Sequence, residues 1–247
     1  MKSFKQYIVE ELPTKEIKIS EFPNPLSARL KAIFQKKGDM DGSPTDDIVK
    51  TKPKTWKAVN LRPSQSAIYL GKALGMAVGG VKGGNLGAMV SRDKRILDGH
   101  HRWAATLLAE PKAKIKGIEA KLGIGDLVPV LRALGDAFGN ERRGAPGGGD
   151  VNIYQASLKD ALDMINTGKN MNPKFYNKEK SVRWLESIGG KDELQKRLSS
   201  LQSKKPPAGA PPRIDMPVID SDKGQEKTTA SLLKRGKTDV REPYAKV

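Results

Sequence analysis

Residues 95–110 read RILDGHHRWAATLLAE, and the reading of this stretch decides the fold. Ile96 and Leu97 make a short apolar run that ends in Asp98-Gly99, a strand that stops at a turn. From His100 onward the residues are helix formers, and the run closes before Pro111. A strand that turns directly into a helix aims the helix's first backbone N–H groups at whatever lies above the turn, which is an anion site. Gly99 permits close approach and unusual dihedrals, and Arg102, one turn into the helix, adds a bidentate guanidinium grip on a phosphate. His100 and His101 are the only two histidines of the chain. In that first turn each is placed to donate to a phosphate oxygen or to move a proton. Neighbours on a helix point about 100° apart, so the pair does not chelate one metal as residues i and i+4 do. A plainer reading stands beside this one: a histidine closes the turn as a core residue, and Arg102 pairs with Asp98.

Working outward, LGAMVS (86–91) and RILD (95–98) are β-like runs around the polar RDK, a hairpin, and AKIKGIEAKL (113–122) is a further strand. LRPSQSAIYLGKALGMAV (61–78) reads as one helix capped by Ser64, with Ile68, Leu70, Leu74 and Ala77 on its buried stripe. Ser64 and Gln65 at its start would then form the opposite wall of a pocket. GGVKGG (79–84) follows a helix instead of preceding one, so it reads as a linker, not a phosphate loop. Upstream, MKSFKQYIVEEL is a short amphipathic helix stopped by Pro13, KEIKISEF a half-buried strand, 27–36 a helix and 37–55 a polar loop. Downstream, 126–138 reads as a helix and 139–150 as a glycine-rich loop whose Arg142 and Arg143 either contact a phosphate backbone or stay solvated. Residues 154–201 hold two or three short helices, and 204–247, starting KKPPAGAPP, reads as a disordered tail.

Composition narrows the function classes. With no cysteine, thiol chemistry, disulfides and thiolate-bound metals are excluded. A hydrophobic fraction of 37%, with 25 glycines and 16 prolines, fits one core domain with loose ends. Nothing approaches the roughly 20 apolar residues that span a bilayer, and the N-terminus lacks a secretory apolar region, so a soluble, cytoplasmic protein without a membrane partner is expected. A net charge of +17 draws the molecule to polyanions, nucleic acid first.

ILDGHHRWAA, with the β-like run before it and a strand-then-PNP segment at 17–25, resembles the ParB/sulfiredoxin superfamily, including the set labelled ParB-like nucleases. The resemblance spans roughly residues 14–125, and its specific part is 96–105. It implies an α+β fold: a small mixed sheet with flanking helices over 14–150, followed by a helical extension over 151–203 and the tail at 204–247. It also implies that Gly99, His101 and Arg102, with Gln65 opposite, hold the phosphates of ATP or CTP, while Ala105 packs the helix on the sheet. Asp98, alone or with His100 and His101, would carry nuclease or NTPase chemistry and bind Mg²⁺. Sulfiredoxin's catalytic cysteine falls at His100, so sulfinic-acid reduction is out. No helix-turn-helix of the partition-protein kind follows. The kinases of the superfamily use an acid after the first strand, for which Glu21 is the nearest candidate; a free-serine-type kinase is the alternative activity.

MKSFKQYIVE further resembles the capsid-targeting leader of internal head proteins of T-even-type bacteriophages, with Ile8-Val9-Glu10 as the protease signal and cleavage between Glu10 and Glu11. That resemblance implies a virion-interior protein, with phage head components and DNA as partners, that later reaches the host cytoplasm. A third reading follows from it: a non-enzymatic, DNA-associated internal protein.

Overall fold

The computed structural model describes residues 51–128, 149–174, 176–213 and 216. The architecture is α+β: a small mixed sheet of four strands with helices. The strands are β1 (Thr51–Lys57), β2 (Gly84–Ser91), β3 (Ile96–Asp98) and β4 (Lys114–Ala120), in the order β1-β4-β2-β3. The helices are α1 (Leu70–Val78), α2 (His100–Ala109), α3 (Leu158–Thr167), α4 (Lys178–Ser187) and α5 (Gly190–Gln202). The chain divides into two compact units. One comprises 53–119 and 144–216 and contains the site; of the other (1–52, 120–143, 217–247), residues 51–52 and 120–128 are described. The leader with Glu10 and Glu11, the 15–36 elements with Glu21, and Arg142 and Arg143 lie outside the described residues.

The hairpin forms where expected. β2 and β3 are antiparallel, with Met89 opposite Asp98 and Val90 opposite Ile96, and the register slips between Met89 and Val90. Lys94 takes the left-handed backbone (φ 62°) that the tight turn needs. β4 lies so close to β2 that a Cβ at Gly117 would sit 2.1 Å from the Ala88 carbonyl oxygen, so glycine is required there.

One face of the sheet and the helices share a single core. Trp56, Ala88, Val90, Ile96 and Ile115 meet Leu70 and Leu74 of α1 and Trp103 and Leu108 of α2. Ile165, Leu194, Leu198 and Leu201 belong to the same cluster, so α3 and α5 complete the core of the sheet unit. Trp103 is 1% exposed, and its indole N–H donates to the Ala58 carbonyl at 2.9 Å. α3 opens with a capping box between Ser157 and Asp160, and Asn177 caps α4. Among the described residues no helix is long and apolar enough to cross a membrane.

Three expectations need correction. Residues 51–55 are not loop but part of β1: a lysine- and threonine-rich strand at the sheet edge buries only alternate residues and shows little apolar signal. The helix expected over 61–78 covers only 70–78, and Tyr69, not Ser64, is its N-cap residue. Residues 61–69 are irregular because Pro63 cannot donate and the amides of Arg62, Ser64 and Tyr69 bond to other parts of the fold. Finally, 204–213 is not loose tail: Ser66 N–H donates to Pro211 O at 2.9 Å and Lys204 Nζ to Val59 O at 2.7 Å.

Candidate functional site

The strand-to-helix junction is built as the sequence suggests. β3 ends at Asp98, Gly99 takes φ 99° at the N-cap of α2 without a side-chain cap, and the first intrahelical bond is Trp103 N–H to Gly99 O at 2.8 Å. The amides of His100, His101 and Arg102 therefore have no acceptor within the helix. Arg102 Nη2 donates to Asp98 Oδ2 at 2.6 Å, and both side chains are about one-third exposed or less (27% and 32%) at the mouth of the turn. A guanidinium has five N–H donors in a fork, so this ion pair leaves capacity for an anion.

The two histidines point inward. His100 is 4% exposed and His101 8%. Ser64 N–H donates to His100 Nε2 at 3.1 Å, and Tyr69 N–H donates to His101 Nε2 at 3.1 Å. The Ser64 hydroxyl, 3.3 Å from the same His100 nitrogen, donates to the Ile96 carbonyl. An imidazole nitrogen that accepts a backbone N–H carries no proton, so both rings are neutral with their proton on Nδ1. The roughly 100° between neighbouring helix positions sends the rings to two points of one segment, Ser64 and Tyr69. The pair thus clamps the irregular 62–69 segment onto α2, taking the Ser64 and Tyr69 amides that no helix or strand partner satisfies. Arg95 helps, donating to Pro63 O at 3.1 Å, and Arg62 forms a parallel bridge with Arg95.

Electrostatics follow from burial. Loss of hydration lowers the His100 pKa from 6.5 to about 3; the charge of Arg213 pushes the same way, and a hydrogen bond with the Ile96 backbone opposes it. Burial likewise holds His101 well below its ordinary value, followed by the charges of Lys72, Arg213, neighbouring His100 and Arg102. Three cations from separate parts of the chain therefore bear on one imidazole at the start of α2. Asp150 accepts from Gly71 N–H at 2.9 Å and Lys72 N–H at 3.2 Å, capping α1, and burial raises its pKa against those bonds.

The expected residues are not all brought together. Asp98, Gly99 and Arg102 form the mouth, and Ala105 is fully buried in the core beneath it. Gln65 is 4% exposed and spends its amide on Ala67 O at 2.6 Å, so it shapes the clamped segment and aims no donor at the turn. The proton-transfer role expected of His100 and His101 meets a plain obstacle: neither ring has a lone pair left to accept a proton, and neither is charged at neutral pH.

Sequence reading missed Tyr69, whose ring stacks on His101 with centroids 5.9 Å apart, and Arg213, which sits 5.9 Å over the Tyr69 ring. No local signal marks them, since Arg213 reaches Tyr69 from the far end of the chain. As a home for Mg²⁺ the turn offers one carboxylate already paired with Arg102, and the described residues hold no group of three metal-ligating side chains. A protein-held magnesium ion does not fit this donor set. A shallow cleft of about 230 Å³, lined by Leu107, Pro111, Glu193, Lys196, Arg197 and Ser200, lies at the opposite end of α2.

No protein-family model, curated protein or solved structure matches the chain.

Proposed function

We propose that the protein binds the phosphates of a nucleoside triphosphate, ATP or CTP, at the Gly99–Arg102 turn and associates with DNA, as a ParB-like protein of bacteriophage. The observation that carries this reading is a helix N-terminus whose cap is a bare left-handed glycine, with the partly exposed Arg102 guanidinium held one turn in by Asp98. A phosphate at the mouth would meet the first amides of α2 and the open side of the Arg102 fork. The histidines support the site by fixing the segment behind it. Binding is favoured over nuclease or NTPase turnover, because the imidazoles are neutral, engaged and buried, and Asp98 is ion-paired. The placement in a virion rests on the leader resemblance alone.

Isothermal titration of the whole protein with ATP and with CTP, each with and without Mg²⁺, tests the reading. Arg102→Ala should weaken binding at least tenfold while leaving the melting temperature within a few degrees. Absence of binding by the wild type, or equal affinity in the variant, refutes it.

A further inference from the structure

We infer that the outer face of β1 and β4 is a docking surface for the phosphate backbone of nucleic acid, bound without reading its sequence. Ala58 N–H donates to Ala113 O at 2.9 Å, and Lys54 reaches Glu119, so β1 and β4 run antiparallel with Lys57 beside Lys114 and Thr55 beside Lys116. Trp56 and Ile115 face the core, 5% and 0% exposed. By the two-residue alternation of a strand, Lys57, Lys114 and Lys116 stand on the opposite face, and all three are exposed. Lys112 and Lys82 are exposed at its border, where a Cβ at Gly83 would sit 2.8 Å from the Lys114 carbonyl oxygen.

The one acid of these two strands, Glu119, is turned to the core face, 4% exposed and bonded to Lys54. The lysines on the outer face therefore have no carboxylate from either strand between them; Glu110, exposed at the end of α2, is the nearest in sequence. Like charges directly opposite across two strands, as Lys57 and Lys114 are, are destabilising, and a polyanion reverses that repulsion into attraction. A sheet face with lysines on alternate positions, one short threonine (Thr55) and no aromatic or amide side chain aimed outward offers mainly point charges, the chemistry of backbone contact and not of base recognition. This inference rests on the DNA-association half of the proposal above and is independent of the nucleotide turn.

Fluorescence anisotropy of a labelled short duplex, titrated with salt, tests it on the full chain. The variant K57Q/K114Q/K116Q should flatten the slope of log K against log salt by about 2 to 3, since each neutralised phosphate contributes about 0.9. K178Q/K180Q/K191Q removes the same charge from exposed positions of α4 and α5 and should change the slope much less. ATP and CTP affinity should be equal in both variants, and the patch variant should melt no lower than wild type, because a like-charge pair has been relieved. Equal slopes in the two variants, or no change from wild type, overturn the assignment of this face. Preferential binding to phosphatidylserine vesicles over the duplex assigns it to a membrane surface and overturns it equally. A wild type without salt-dependent DNA binding removes the DNA-association reading itself, and the surface with it.

Discussion

Acidification should unfold this protein through its two histidines. In the native state His100 has a pKa of about 3 instead of 6.5. At pH 5 the unfolded ring is therefore protonated while the native ring is neutral. The unfolded state binds more protons, so stability rises with pH and is lost as pH falls from 6.5 toward 3. Each unit below 6.5 is worth about 1.4 kcal/mol, which puts the loss between pH 7 and pH 5 at about 2 kcal/mol for His100 alone. His101 is shifted in the same direction and adds to it. Against a typical domain stability of about 5–15 kcal/mol this is a large fraction. The chain has no other histidine, and ordinary carboxylates titrate below this window. Asp150, whose native pKa is raised, contributes with the opposite sign and cannot mimic the loss. Urea unfolding at pH 7, 6 and 5 and constant ionic strength measures the effect, provided the m-value holds steady. His100→Gln carries an amide oxygen out to the position of Nε2 as an acceptor for Ser64 N–H without a titrating group, and should be less stable at pH 7 yet lose about 2 kcal/mol less on going to pH 5. NMR of the native wild type gives a second reading that needs no variant: neither ring's Cε1–H resonance should titrate between pH 7 and 5. Stability that stays flat over this range, or a native ring that titrates near 6.5, would refute the clamp.

Two further perturbations probe the frame around the site. Gly99→Ala forces a side chain onto φ 99° beside Ala88, whose Cβ would be 3.4 Å away; it should cost about 1–2 kcal/mol and lower the melting temperature by about 5 °C, and an unchanged melting curve would contradict the assigned backbone. Arg197 donates to Leu108 O and Ala109 O at the C-terminal end of α2 and to Ile188 O, at 3.0, 2.6 and 3.2 Å. Arg197→Ala should therefore cost about 2–3 kcal/mol in chemical denaturation, and Arg197→Lys should recover less than half, because one ammonium cannot serve three carbonyls fixed around a planar fork; full rescue by lysine would show that charge alone matters there.

Much of the local structure was legible because its cause is local. The β2–β3 hairpin, the Asp98-Gly99 turn, α2 and β4 follow from alternation, turn residues and Pro111, which act over a few positions. The C-terminal helices, read as two or three short ones, follow from periodicity; the structure shows three and adds Ser157 and Asn177 as caps. β1 was hidden because an edge strand of lysines and threonines carries its apolar signal in Trp56 alone. The segment 61–69 was misread as helix because Ile68 and Leu70 fit a helical stripe, while the forces that hold it irregular come from His100, His101 and Arg95, some thirty residues away.

The sequence by itself determined that a strand hands over to a helix at Gly99 and that Arg102 stands one turn in, since dihedral preference and helix geometry operate between neighbours. It also determined the excess of positive charge, which needs no fold. Only the tertiary structure decided what the two imidazoles do, because a ring's protonation and role depend on which backbone amide is brought against it and on how much water is removed. The same holds for Tyr69, Arg213 and the lysines of β1 and β4: their juxtaposition is set by strand pairing and chain return, and no spacing along the chain encodes it.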